Sequence, residues 1–99
     1  MTQVVTYHCK MCNARFGPLG FHGYNPKSKT GEIPGICKTC KVIMVLSVEN
    51  GNILNSKCSK CEKTRIFFDG TCPICKSDQV VFFDVKMPGF EQKANKVAL

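Results

Sequence analysis

Apolar residues in this chain come in short bursts separated by turn-forming residues, and no stretch sustains a helical period. Residues 1–8 (MTQVVTYH) alternate loosely, which predicts a short strand running into the first cysteine pair. Residues 42–48 (VIMVLSV) are β-rich and are followed by Glu49-Asn50-Gly51-Asn52. Asn-Gly between apolar runs predicts a tight hairpin, with Ile53-Leu54 beginning the return strand. Thr64 to Phe68 (TRIFF) reads as a strand closed by an Asp69-Gly70 turn. Val80 to Val85 (VVFFDV) reads as another, stopped by Pro88-Gly89. Residues 16–35 (FGPLGFHGYNPKSKTGEIPG) hold five glycines and three prolines, which predicts a long loop and excludes a regular helix or central strand. Residues 91–99 (EQKANKVAL) predict a short helix or a frayed tail.

Cysteine changes this picture. All eight cysteines fall into Cys-x-x-Cys pairs: Cys9/Cys12, Cys37/Cys40, Cys58/Cys61 and Cys72/Cys75. Framework disulfides seldom join residues three apart. Tight turns that present both sulfurs on one side suit a tetrahedron of thiolates around a metal ion. Two ions are expected, zinc or, with the same ligands, iron. At 99 residues the chain has a marginal core if it is split around two sites, so metal binding is expected to supply much of the folding energy.

Three pairings of the four knuckles are open. Tandem pairing joins the first two knuckles across a 24-residue spacer and the last two across 10 residues. Nested pairing joins the middle two across 17 residues, with the Asn-Gly hairpin between them. Cross-brace pairing alternates them. A faint internal repeat, in which each half ends in a knuckle and an apolar strand (CKTCKVIMVLSV and CPICKSDQVVFFDV), favours tandem pairing. The expected architecture is a small, β-rich, metal-stabilised fold of two tandem units of short antiparallel strands. These units are residues 1–50, containing the 16–35 loop, and residues 51–90, followed by a 91–99 tail.

Residues 58–85 (CSKCEKTRIFFDGTCPICKSDQVVFFDV) resemble a zinc ribbon, with two knuckles, a strand between them, Cys-Pro-x-Cys at the second and a strand after it. Ribbons usually place Gly after the second cysteine of a knuckle, where φ is often positive; here Glu62 and Lys76 stand there. Residues 7–40 are distantly similar to rubredoxin, in the order YHCKMC, Asn25-Pro26, Ile33-Pro34, ICKTC. They lack its Trp, its second Cys-Pro and its knuckle glycines. The resemblance implies a rubredoxin-like metal fold. It also keeps electron transfer by an iron centre as an alternative function.

The formal charge of +7 treats the cysteines as neutral; eight thiolates and two Zn²⁺ ions bring it to about +3. Lysines crowd the knuckles at positions 10, 38, 41, 57, 60, 63 and 76. They either offset the charge of the thiolate centres or contact phosphates. Many zinc ribbons serve transcription and RNA machinery, so the resemblance implies a non-enzymatic module that contacts nucleic acid or a protein of that machinery. Candidate contacts are Lys63 and Arg65 beside Phe67 and Phe68, and Lys27 and Lys29 in the glycine-rich loop. A protein-interaction adaptor is the other reading, because VIMVLSV and VVFFDV are apolar on both faces and need a cover. Homodimerisation through an edge strand is a further option.

Catalysis is not expected, since four thiolates close each site and no paired carboxylates, nucleophile elbow or P-loop appears. His8 is expected to bond a thiolate or face water, and His22 is a less favoured replacement ligand. The longest apolar run, Val42 to Leu46, is far shorter than a membrane span, and no secretion signal is visible. A cytoplasmic protein is expected.

Overall fold

The computed structural model describes residues 3–87 and 89–97, and among these it is all β, with two antiparallel sheets and no helix. The first sheet has strand order β2-β1-β8-β9, from β1 (Gln3–Cys9), β2 (Arg15–Phe21), β8 (Val80–Asp84) and β9 (Gln92–Lys93). The second contains β3 (Tyr24–Asn25), β4 (Thr30–Cys37), β5 (Val42–Glu49), β6 (Asn52–Ile53) and β7 (Ile66–Phe67). In it, β4 pairs with β5 along one edge and with β3 and then β7 along the other. The expected small β-rich fold is what forms.

Strand β1 shows the alternation read from the sequence. Val5, Tyr7 and Cys9 point inward while their neighbours are more exposed, and every pair with β8 from Val5↔Asp84 to Cys9↔Val80 is in register. Strand β5 ends at Asn50-Gly51, where φ is 51° and 82°. Positive φ at both turn residues is the requirement of the two-residue hairpin turn, so the Asn-Gly expectation holds.

The 16–35 segment departs from the expected loop and contributes β2, β3 and most of β4. Each Gly or Pro there sits where a strand tolerates it. Strand β2 lies at the sheet edge, so Pro18 removes no interior ladder bond. Pro34 lies inside β4, but its carbonyl accepts from the Phe68 amide at 3.1 Å, on the edge away from β5. The N and C=O of one strand residue face the same edge, so the missing N–H is not one that β5 needs. Gly31 and Gly35 permit close approach. A Cβ at Gly35 would collide with the Leu46 side chain and the Ile66 carbonyl, and one at Gly31 with the backbone of Gly23 and Tyr24.

The tail also differs from its expectation. Gln92–Lys93 forms β9, Ala94 is buried, and the Val97 amide donates to the Phe68 carbonyl at 2.9 Å. Pro88 and residues 98–99, parts of the Pro88-Gly89 stop and of the tail expectation, lie outside the described residues.

The two apolar faces of β4 and β5 are both covered from within the chain. Ile36 and Ile43 share one face and join Val5, Tyr7, Phe16, Phe68 and Val80 in a core common to both sheets. Ile33, Leu46 and Val48 share the other, under Tyr24, Ile53, Phe67 and Val97. The need for an outside cover, which motivated the adaptor reading, is met at β4 and β5 by the fold itself.

Candidate metal centres

Each cysteine pair forms the same turn. The amide four residues after the first cysteine donates to that cysteine's carbonyl: Asn13 to Cys9, Lys41 to Cys37, Glu62 to Cys58 and Lys76 to Cys72, at 2.8–2.9 Å. The donors have φ of 64°, 56°, 61° and 63°. The turns are therefore regular although none of these residues is Gly. An L side chain in this region costs roughly 1–2 kcal/mol per residue, so closing the knuckle outweighs that strain at all four positions. At Asn13 the side chain adds support, accepting a hydrogen bond from the His8 ring at 2.6 Å. His8 thus braces the knuckle turn rather than a thiolate.

The four knuckles assemble into two tetrads in nested order. Cys9, Cys12, Cys72 and Cys75 form an outer group, and Cys37, Cys40, Cys58 and Cys61 an inner one. This corrects the tandem pairing favoured by the internal repeat. Both tetrads, and the β1–β8 and β4–β7 pairings, run across the 50/51 boundary. The zinc-ribbon-like stretch 58–85 therefore gives its two knuckles to different groups. The cause lies in the sheets. Cys9 ends β1 and pairs with Val80 at the start of β8, which brings the Cys72–Cys75 knuckle to it. Cys37 ends β4, which pairs with β7 just beyond Cys61.

Sulfur atoms within each group lie within 4.8 Å of one another. The cross-knuckle separations are 3.4 and 3.6 Å in the outer group, and 3.5 and 3.7 Å in the inner. A Zn–S bond of about 2.3 Å implies a tetrahedron edge of about 3.8 Å, so both groups could hold such an ion. The first cysteine of every knuckle is buried. The second is exposed in the outer group and half-buried in the inner, so the outer group is the more open.

The surroundings favour charge on some sulfurs and oppose it on others. Backbone amides of Cys61 and Lys60 bring the Cys58 thiol down to about 6. Burial resists ionisation of Cys9, yet the amides of Cys12 and Met11 bring it to about 7. Cys40, facing the sulfurs of Cys37, Cys58 and Cys61, is pushed up to about 12. Four adjacent thiols do not ionise together unless a cation joins them, and a divalent ion supplies that charge.

The other sequence candidates scatter. Phe68 is buried, and Phe67 packs on the Ile33–Leu46–Val48 cluster, so neither presents a ring to solvent for stacking. Arg65 is half-buried, its Nη1 donating to the Asn55 carbonyl at 3.0 Å. It borders a hollow with Cys37, Cys40 and Cys58, as a cation beside the inner thiols. Lys63 is exposed. Lys27 and Lys29 are exposed on the β3–β4 turn, whose Lys29 carbonyl accepts from Gly51 at 3.0 Å. His22 lies beside Glu32, which accepts its backbone amide at 2.7 Å, and belongs to neither tetrad.

Sequence reading gave Lys38, Lys41 and Lys76 no role as a set, although all three line one cleft together with Asp69, Pro73 and Ile74. Their knuckle positions were visible; their convergence depends on the nested pairing. No helix among the described residues is long and apolar enough to cross a membrane. Comparison with known protein families, with curated proteins and with solved structures gives no match, so the zinc-ribbon-like character of the two centres rests on their geometry.

Proposed function

We propose that this chain is a non-enzymatic zinc protein of the reducing cytoplasm that contacts nucleic acid or its processing machinery. The supporting observation is the pair of all-thiolate tetrads, each ringed by knuckle lysines. Four thiolates complete a tetrahedral zinc site and leave no position for water or substrate, which is the arrangement of a structural ion. Eight reduced thiols suit a compartment that keeps cysteine reduced. The lysines give the zinc-loaded protein an excess of about +3, a sign that favours phosphate.

Two measurements test the reading. Elemental analysis of the purified protein is expected to give two zinc per chain and no visible absorption; iron with visible bands would replace it with electron transfer. Fluorescence anisotropy with labelled single-stranded and duplex oligonucleotides is expected to show binding that weakens as salt rises. Absence of binding at low salt would remove the nucleic-acid reading.

The adaptor reading retains one observation of its own. Met11 and Ile74 hold the same place in the two outer knuckles and are 70% and 47% exposed, an apolar pair beside one centre. Co-purification of a defined protein partner that a Met11→Ser, Ile74→Ser variant no longer holds would favour it.

A further inference from the structure

Nested pairing sets the Cys37–Cys40 knuckle of the inner centre beside the Cys72–Cys75 knuckle of the outer one. The cleft between them, about 560 Å³, receives Lys38 and Lys41 from one side and Lys76 from the other. Pockets that hold small ligands run from about 300 to 1,000 Å³. Pro73 and Ile74 give it an apolar wall.

Charge in the cleft is unbalanced. Its carboxylate, Asp69, is already engaged: it accepts the Thr71 hydroxyl at 2.6 Å and the Thr71 amide at 3.1 Å, and lies 4.0 Å from the Lys38 ammonium. Lys41 and Lys76 have no ion-pair partner among the described residues. A second feature sets these two apart. Both occupy the positive-φ position of their knuckles, at 56° and 63°, where Gly would fit with less strain. The other two such positions, Asn13 and Glu62, do not line the cleft. Two strained positions that carry the same cationic side chain into one cleft point to a ligand rather than to the turn.

We propose that this cleft binds one nucleotide unit, with its phosphate on Lys41 and Lys76 and its base against Pro73 and Ile74. An apolar wall accepts any base by its flat face, and two ammonium groups match a phosphate. The unit is a residue of a single strand or a free nucleotide. The former rests on the nucleic-acid reading above and the latter does not.

The test uses the full, zinc-loaded chain and a Lys41→Gly, Lys76→Gly variant. Gly relieves the positive-φ strain, so the variant is expected to fold and keep both ions. Lys63→Ala serves as a charge-matched control away from the cleft. The probes are a labelled oligothymidylate, AMP and inorganic phosphate. For a single strand, the double variant binds oligothymidylate at least tenfold more weakly, and its log–log salt slope shrinks by about 1.4. Lys63→Ala changes little. Competition by AMP but not by phosphate would show that the cleft grips the base as well.

Unchanged oligonucleotide binding in the double variant would overturn the cleft and leave the nucleic-acid reading standing. AMP binding that the variant loses, without oligonucleotide binding, would keep the cleft as a free-nucleotide site and remove that reading. No binding of any probe would overturn both. A variant that loses a zinc ion would overturn the proposal in favour of lysines that only offset the thiolate charge.

Discussion

Tyr7 and Glu62 show two ways in which single residues carry this fold. The Tyr7 ring lies between Phe68 and Phe82, with centroids at 5.6 and 5.7 Å. Burial pushes its phenol up from 10.0 to about 12. The neutral form is therefore favoured in the folded chain. Its contribution is intact below pH 10 and is lost as pH rises toward 12, about 2–3 kcal/mol in all. Tyr7→Phe is expected to change little at neutral pH and to flatten the alkaline limb of the stability curve relative to the parent chain. Parallel alkaline limbs would show that another group titrates there. Glu62 is a case of backbone strain, with φ at 61° closing the Cys58 knuckle. Glu62→Gly relieves this at the entropic cost of a freer unfolded chain, for a net gain of about 1 kcal/mol. A higher urea midpoint at saturating zinc is the expected result, and a lower one would mean that the Glu62 side chain makes a stabilising contact.

At the scale of strands, β4 tests the packing account most directly. Its Gly35 lets Leu46 cross the strand and leaves the Ile66 carbonyl 2.9 Å from where a Cβ would stand. Gly35→Ala drives a methyl group into both and is expected to cost about 1–3 kcal/mol, read as a fall in the urea midpoint. A neutral result would mean that β7 can draw away from β4 freely. The same strand explains what the sequence left hidden. Asn50-Gly51 was legible because a two-residue turn is a local decision, and the alternation of Val5, Tyr7 and Cys9 was legible because one face of β1 is buried. Strand β4 was not legible, because Gly31, Pro34 and Gly35 all count against a strand when its partners are unknown. Pro34 is harmless only because its nitrogen faces away from β5. Gly31 and Gly35 are favourable only because β3, β5 and β7 approach so closely.

For the whole molecule, the ligand set was legible and its partition was not. Cys-x-x-Cys spacing is a property of one turn, whereas the choice of partner knuckle is made by β1 pairing with β8 across most of the chain. The internal repeat pointed the other way because each knuckle is followed by a strand in either arrangement. The partition can be read by counting ions in double variants of the full chain. Cys9→Ser with Cys72→Ser removes two ligands from one nested centre, so one of the two ions should remain. Cys9→Ser with Cys37→Ser strikes both centres, so both ions should be lost or held only weakly. Tandem pairing demands the reverse: the first pair of substitutions would damage two centres and the second pair only one. Zinc per chain after dialysis against a weak chelator therefore separates the two arrangements, even where neither variant keeps a full fold, because an intact tetrad retains its ion far more tightly than one with two thiolates left.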